Sequence, residues 1–203
     1  MTSSLPVAPE FGAPIAGAPA PEVLRFLALR RSVSAVALGT PGPTPEQLAD
    51  LLRLAVRVPD HGKLAPWRFI VLEASDKAAF VARLETLADS RGATVAAGKL
   101  GKLKPPPLAV AVISSPRQAD IPEWEQVLSA GAVCLTLSQA AAAMGFGANW
   151  ITDWYSYDPE ATAILGLEAG ERVAGFILIG APREPPLERE RPDPAALTRH
   201  WRP

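Results

Sequence analysis

Two arginines and a serine stand in consecutive positions near the start of the chain, where a predicted helix ends. Arg30, Arg31 and Ser32 offer two guanidinium groups and a hydroxyl. Guanidinium groups donate paired, charge-assisted hydrogen bonds to phosphate oxygens, so this run could bind a phosphate monoester. Basic residues are also typical of solvated helix ends, where they compensate the helix dipole. The three residues alone leave both interpretations open.

A second chemically informative segment is the loop of residues 58–69. It contains two prolines, a glycine, His61, Lys63 and Trp67 between a well-marked helix and a short apolar run. Long connections that carry polar side chains on a rigid scaffold are often functional. Rigid backbone of this kind can present N–H groups to a planar heteroaromatic ring. The competing interpretation is a structural loop, and in either case we expect Trp67 to anchor it to the core.

Gly145 and Gly147 are spaced like half of a dinucleotide-binding fingerprint, but their context is wrong. They follow a predicted helix and precede a predicted strand, whereas a Rossmann turn needs the reverse order. We therefore expect them to end the helix, with Gly145 in the C′ position. Trp150, Ile151 and Thr152 follow at once and place polar and aromatic groups at the edge of a strand.

Glu123 and Glu125 lie at the start of the longest predicted helix and could be read as paired carboxylates for acid–base work. Neighbouring positions on a helix diverge by about 100°, so side chains this close in sequence do not face one another. Acidic residues in a first turn also interact favourably with the helix dipole. We therefore predict a structural role for both glutamates.

The chain has no pattern that would supply catalysis from side chains alone. It contains no Ser/His/Asp set, no HExxH, no CxxC pair and no phosphate-binding P-loop. Its one cysteine, Cys134, lies in an apolar helix, and His61 and His200 are far apart, so a structural zinc site is not expected. If the protein is an enzyme, a cofactor must supply the difficult chemistry.

Composition narrows the class of protein further. Of 203 residues 48% are hydrophobic and the net charge is −1, so the chain can bury a substantial core. Lys and Arg form no run long enough to follow a phosphate backbone, which argues against nucleic acid as a partner. Polar residues interrupt the apolar stretch of residues 127–146, which indicates a buried helix and no membrane span. The lone cysteine and the absence of a basic leader predict a cytoplasmic protein.

Helices are marked by their ends and by apolar spacing. Pro21 begins a first helix that ends at Arg30, and Thr44, Pro45 and Gln47 form an N-cap, N1 proline and capping box for a second. Ser75 is expected to cap a third, Pro122 to open the long buried helix, and Asp158 with Pro159 to start a short one that stops near Gly166.

About four strands are expected, at residues 69–72, 108–113, 148–152 and 173–179, and they alternate irregularly with the helices. This pattern predicts an α/β or α+β layer fold with helices packed on a sheet, and the family resemblance given below favours α+β. The single domain is expected to cover residues 21–182. Residues 1–20 read as a flexible Pro/Ala-rich arm, and residues 183–203 form a Pro-rich tail that either wraps a partner subunit or is disordered.

Taken in order, four segments resemble the nitroreductase family, in particular its small single-domain branch. The run from Arg30 to Val33 resembles the opening Arg-Arg-Ser motif, and residues 58–69 resemble the Ala-Pro-x-x…Gln-Pro-Trp-x-Phe loop. Residues 144–150 resemble the Gly-x-Gly-x-x-Trp segment, and residues 175–182 resemble the last core strand with its Gly-x-Pro exit. Each motif alone is weak, but four in the right order are strong, and together they span the predicted core.

The resemblance implies a homodimer with a central mixed sheet flanked by helices and two FMN sites at the subunit interface. Arg30, Arg31 and Ser32 would hold the phosphate and ribityl chain from one subunit. By the same resemblance, Arg57 and His61 would reach the flavin from the partner. The remaining implied cofactor-binding residues are Trp150, Ile151 and Thr152, which would lie along the isoalloxazine or the phosphate.

Several positions depart from the family pattern. Ser34 stands where the family has a basic residue, Ala65 replaces a glutamine, and Ile151 stands where close relatives tend to have arginine. Lys63 replaces an asparagine and could compensate for a lost phosphate contact, although a solvated lysine fits equally well. Arg183, beyond the last strand, is a weak candidate to complete phosphate binding.

The family resemblance implies an NAD(P)H-dependent oxidoreductase that reduces nitroaromatics, quinones or similar small electron-poor acceptors by a ping-pong mechanism. No side chain need act as acid or base, and His61 is interpreted as an FMN contact. The alternative is a relative of the same fold with another reaction, namely dehydrogenation, dehalogenation or flavin degradation. A third hypothesis is a non-catalytic interaction module that uses the arm and the tail.

Overall fold

The computed structural model describes residues 5–202, so the first four residues of the predicted arm and the last residue of the tail lie outside the described part. Six α-helices and five strands are present within that range. The helices are α1 (Pro21–Leu29), α2 (Pro45–Ala55), α3 (Ala74–Ser90), α4 (Thr94–Lys99), α5 (Glu123–Ala143) and α6 (Pro159–Leu165). The strands are β1 (Leu38–Gly39), β2 (Trp67–Leu72), β3 (Leu108–Ser114), β4 (Gly147–Ile151) and β5 (Arg172–Pro182).

Most of the predicted helix ends are confirmed by their hydrogen bonds. Thr44 and Gln47 form the capping box of α2. Asp158 accepts hydrogen bonds from the first-turn amides of α6, and Gly166 ends that helix in the left-handed conformation. The predicted cap at Ser75 is wrong, because α3 already begins at Ala74 and its preceding residue makes no side-chain cap.

The five strands form one sheet in which β5 is central. β3 pairs along one edge of β5 and β2 pairs with β3, β4 pairs along the other edge of β5, and the short β1 pairs with the last residues of β5. The two-residue β1 was not predicted, because Gly39 was read as the start of a loop. This α+β arrangement confirms the predicted fold class.

The sheet within the described chain is antiparallel throughout, whereas we expected a mixed sheet. The reason lies in the connections. Leu72 at the end of β2 pairs with Ala109 at the start of β3, so the helical connection through α3 and α4 returns to the end of the sheet that it left. A parallel pair would need a crossover connection that returns to the opposite end of the strands.

The core has one cluster on each face of the sheet. β3 shows the alternation of a strand: Ala111 and Ile113 pack with α3 and α6, while Val110 and Val112 pack with α2 and α5. Because both faces are covered, all seven residues of β3 are buried. The sheet therefore provides a rigid frame for the loops at its edges.

Helix α5 is long and apolar enough to cross a membrane by length and composition alone. Eight of its residues are nevertheless buried against the sheet and α2, which confirms the predicted core helix. Cys134 is among them, and burial raises the pKa of its thiol to about 12. The thiol is therefore a packing group and not a nucleophile.

Helix α1 has no buried residue. An isolated helix of nine residues is not stable in water, so its apolar face needs a cover. Residues 5–20 form no helix or strand, and beyond β5 the described tail contains one 3-10 turn, Pro194–Leu197. Both terminal segments lie against parts of the candidate site described next.

Candidate functional site

The Arg30–Ser32 run leaves α1 in an extended conformation and is fixed against the start of β4. The Val33 amide donates to the Ala148 carbonyl at 3.0 Å. The Asn149 side-chain amide in turn donates to the Val33 carbonyl at 2.5 Å. A β-carbon at Gly147 would overlap Val33, so glycine is required for this close approach. The segment therefore has a defined position at the sheet edge.

Beside this segment lies an open cleft of about 660 Å³, between residues 31–37 and residues 184–188. Arg31 lines it and donates from Nε to the Leu187 carbonyl at 2.9 Å. Within residues 5–202 the two terminal nitrogens of Arg31 donate no hydrogen bond. Ser32 and Ser34 also line the cleft. The cleft thus presents a positioned guanidinium and two hydroxyls, which suit an anion, on the wall opposite Glu184 and Glu188 of the tail.

Arg30 lies next to the cleft but faces a second groove, which α1 forms with Ala142. Its Nη2 donates to the Ser32 hydroxyl at 3.3 Å. The backbone amide of Arg183 donates to the Ala37 carbonyl, and its guanidinium packs over Gly39. Arg30 and Arg183 therefore lie beside the anion cleft, and Arg31 is the arginine that lines it.

The predicted proline loop is rigid for an identifiable reason. The Asp60 carboxylate accepts hydrogen bonds from the amides of Leu64 and Ala65, at 3.1 Å and 2.8 Å. Within this loop the backbone has positive φ values at Gly62, at Lys63 (56°) and at Ala65 (45°). Conformations of this kind persist only where the surroundings determine them. Asp60 is therefore the organising residue of the loop.

The same loop is attached to α5 through Trp67, as predicted. The Trp67 indole donates to the Ser129 hydroxyl at 3.1 Å, and that hydroxyl donates to the Pro59 carbonyl at 2.7 Å. Ser129 is buried, so its two partners satisfy a polar group that would otherwise be costly. The two ends of the loop are thus fixed to one point on the helix.

Arg68 of the same motif holds the sheet edge together. Its guanidinium makes two hydrogen bonds to Glu171, at 2.7 Å and 2.5 Å. The Arg68 contacts lower the pKa of the Glu171 carboxyl to about 2. This bidentate pair is a structural feature beside the loop and does not face the cleft.

His61 lies at the tip of the loop and contacts the first turn of α5. Its Nδ1 is 2.7 Å from Glu125 Oε2. An ionised carboxylate can only accept, so Nδ1 carries the proton and Nε2 is left for another partner. Glu125 thus positions the His61 ring, a contact that the sequence interpretation did not include. Glu123 lies 3.9 Å from Arg172 and does not face His61.

Arg57 and Lys63 are covered in part by the N-terminal arm. Residues 5–9 and Ile15 form a cleft of about 300 Å³ with Arg53 and Arg57. Arg53 donates to the Pro6 carbonyl at 2.9 Å, and the Lys63 ammonium lies 5.6 Å from the centre of the Phe11 ring. Lys63 is thus exposed beside an aromatic ring and does not line the anion cleft.

The β4 residues named by the sequence point in different directions. The Trp150 indole lies across Gly175 and donates to the Ala174 carbonyl at 3.1 Å, with 42% of the residue exposed. Ile151 packs against the core cluster on the opposite face. Thr152 is exposed directly after the strand. Of the three, Trp150 and Thr152 have side chains that a ligand could reach.

Replacing Gly175 with alanine is expected to displace Trp150, because a β-carbon there would overlap the indole ring. Overpacking of this kind costs about 1–3 kcal/mol of stability. We expect a lower midpoint of urea unfolding and a red shift or quenching change in tryptophan fluorescence. Gly98→Ala is the control, since the space around residue 98 is open and alanine favours a helix. Equal stability of the two variants would contradict the packing described.

Within one chain, the predicted site residues lie in separate groups. Arg30, Arg31 and Ser32 lie at the anion cleft, and His61 lies with Glu125 at the start of α5. No hydrogen bond or ion pair between described residues joins these two groups. No group of three His, Cys, Asp or Glu side chains in residues 5–202 could hold a metal ion.

Four residues beside the candidate site have contacts that the sequence interpretation did not assign, namely Asp60, Glu125, Leu187 and Glu188. Asp60 carries a detectable signal, because Asp two residues before a glycine is typical of a turn. The contacts of the other three join positions more than 60 residues apart, as in the His61–Glu125 and Arg31–Leu187 pairs. Only the folded chain reveals them.

Comparison with known proteins places the described fold in context. The model of the "Nitroreductase family" matches residues 27–181. The Escherichia coli K12 protein named "Putative NAD(P)H nitroreductase YdjA" is 33% identical over 165 residues, which cover 80% of this chain and 89% of that protein. The Haemophilus influenzae protein named "Putative NAD(P)H nitroreductase" is 33% identical over 177 residues, covering 83% and 92%.

Solved structures show the same fold. A nitroreductase-like family protein from Bacillus cereus aligns with a TM-score of 0.74 at 18% identity, covering 93% of this chain and 99% of the other. A nitroreductase with bound FMN from Bacteroides fragilis aligns with a TM-score of 0.68 at 19% identity, covering 89% and 99%. At these identities the likeness concerns the fold.

Proposed function

The chain belongs to the nitroreductase family, and from that premise we propose that it is an FMN-dependent oxidoreductase that takes electrons from NAD(P)H. The proposed acceptors are nitroaromatics, quinones or similar electron-poor small molecules, reduced in a ping-pong cycle. The observation that carries the proposal is the anion cleft at Arg31, whose guanidinium is positioned and has free donors. Its location matches the family motif that the sequence contains.

The residues at the cleft fit the phosphate of FMN. Arg31 offers two terminal nitrogens, and the Ser32 and Ser34 hydroxyls line the same wall. Arg30, linked to the Ser32 hydroxyl, adds a second positive charge. A dianionic phosphate prefers such paired, charge-assisted donors. The chemistry that bound FMN would supply at this site is the transfer of two electrons from NAD(P)H to the acceptor.

The other groups are assigned to the flavin ring. Trp150 and Thr152 would lie beside it at the end of β4, with Ile151 contributing backbone and packing. His61 would contact it through Nε2, because Glu125 engages Nδ1. Arg57, beside the loop, would stabilise negative charge on the reduced ring. These chain groups bind and orient, and none is required to transfer a proton.

We further propose that the protein is a homodimer in which His61 and Arg57 of each subunit serve the cleft of the other. This arrangement accounts for two groups that one chain keeps apart. It also accounts for exposed apolar side chains on α1 and α5, which need a cover. A cytoplasmic location is proposed on the basis of the single buried, unpaired thiol.

The purified protein is expected to be yellow, with an absorption spectrum of bound flavin that bleaches when NADH or NADPH is added anaerobically. Nitroaromatic or quinone should then restore the colour. The measurement is a visible spectrum before and after each addition, with heat-released flavin as the reference. Colourless protein that does not take up added FMN would reject the proposal.

The same experiment separates the second candidate function. Relatives of this fold that dehydrogenate, dehalogenate or degrade flavin need not accept electrons efficiently from a nicotinamide nucleotide. Flavin that binds but does not bleach with either nucleotide would favour that class. In that case FMN would still be the proposed cofactor, but NAD(P)H would no longer be the proposed electron donor.

A further inference from the structure

We propose that Glu188 of the C-terminal tail, which lies beside Arg31 in the anion cleft, opposes binding of the FMN phosphate there by charge repulsion. The inference rests on the proposed function, since it concerns the same cleft. It adds a regulatory element that lies outside the part of the chain matched by the family model, which ends at residue 181. The tail would thereby set the affinity for the cofactor.

The contacts of Arg31 with the tail are of two kinds. Its Nε donates to the Leu187 backbone carbonyl at 2.9 Å, which fixes the direction of the guanidinium. The Glu188 carboxylate lies 3.8 Å from the same nitrogen, which is a loose ion pair. The Arg31 side chain is 21% exposed and that of Glu188 is 59% exposed. A well-held arginine thus faces a carboxylate that solvent can reach.

Glu188 also has other partners in the tail. Its Oε1 accepts from Arg191 Nη2 at 2.9 Å and from the Arg189 amide at 2.8 Å. The Arg189 amide, and after it Arg191 and Arg31, lower the pKa of Glu188, so the carboxylate is ionised at neutral pH. Loss of the Arg31 contact therefore leaves no unpaired charge. Exposed ion pairs of this kind are weak.

The charged residues of the cleft give the physical reason for this repulsion. Its charged lining residues are Arg31, Glu184 and Glu188, so two carboxylates face one guanidinium. A phosphate dianion that enters is attracted by Arg31 and repelled by the Glu188 carboxylate beside it. The Leu187 contact uses only Nε, which leaves the terminal nitrogens for the phosphate. The phosphate can therefore reach the terminal nitrogens of Arg31 while Leu187 keeps this side chain in place, and the Glu188 carboxylate remains as a nearby negative charge.

The test is the dissociation constant of FMN for the full-length apoprotein, measured by quenching of flavin fluorescence at low and high salt. Glu188→Gln is expected to bind FMN about three- to tenfold more tightly at low salt, with a smaller gain at 0.5 M salt, about where screening becomes strong. Glu190→Gln is the matched control, because it makes the same charge change two residues away. Within residues 5–202 Glu190 forms no ion pair.

The comparison of Glu188→Gln with Glu190→Gln distinguishes a charge effect within the cleft from a general effect of net charge. An affinity of Glu188→Gln equal to or weaker than that of Glu190→Gln would overturn the inference. Failure of the parent protein to bind FMN would instead reject the proposed function.

Discussion

Arg31→Ala is expected to weaken FMN binding by about 1.5–3 kcal/mol, the range of hydrogen bonds to charged groups. This corresponds to a dissociation constant about 10- to 150-fold higher. The structural reason is that Arg31 lines the anion cleft with its terminal nitrogens free, while Leu187 holds Nε. Arg30→Ala is expected in the same range, at its lower end, because Arg30 borders the cleft through Ser32.

The measurement is equilibrium binding of FMN to apoprotein, followed by flavin fluorescence. Arg83→Ala is the control, since Arg83 lies exposed on α3 and its side chain forms no hydrogen bond or ion pair within residues 5–202. Arg31→Lys should give an intermediate loss, because it keeps the charge but not the forked donor geometry. Unchanged affinity in Arg31→Ala would remove the phosphate role from this residue.

The fold was predictable where local chemistry decides it. The capping box of α2 and the Asp158 cap of α6 depend on residues three positions apart or fewer, and both are confirmed. The four longer strands were located because apolar runs between turn residues are typical of buried strands. Strand β1 has two residues and no pattern of its own, so only its pairing with β5 defines it.

Other features depend on contacts that no local pattern encodes. The direction of the strands was predicted as mixed, and it is set by where the α3–α4 connection returns to the sheet. Lys77 illustrates the same limit: it is buried and donates to the carbonyls of Leu103 and Lys104. A lysine in a helical sequence does not indicate that two backbone carbonyls of a distant segment will accept hydrogen bonds from it.

The candidate site was likewise predictable only where local sequence decides its features. The chemistry of Arg31 and the rigidity of the residue 58–69 loop follow from residue types and spacing. The pairing of His61 with Glu125 does not, because it depends on the angle at which the loop meets α5. The assignment of Ile151 to the cofactor stays a prediction, and its side chain faces the core.

The exposed apolar face of α1 is the strongest physical argument for a dimer. Leu24 and Leu27 are 69% and 48% exposed, and no residue of the helix is buried. On α5, Trp124 and Leu128 are exposed as well. Burial of each such leucine is worth about 1.5–3 kcal/mol, and a twofold interface counts every residue twice. A second copy of the chain would supply the missing cover.

Leu24→Asp is therefore expected to convert a dimer of twice 21.4 kDa into a monomer of 21.4 kDa and to abolish FMN retention. The lost burial and the cost of placing a carboxylate in the interface together exceed about 3–6 kcal/mol per dimer. Sedimentation velocity gives the mass, and the visible spectrum of the same sample gives the flavin content.

Val95→Asp, on α4 at a residue 77% exposed, is the matched control and should remain a yellow dimer. Because the flavin site is proposed to need His61 from the partner, mass and colour should be lost together. A yellow Leu24→Asp monomer would show that one chain holds the cofactor alone, and a dimeric Leu24→Asp would remove α1 from the interface.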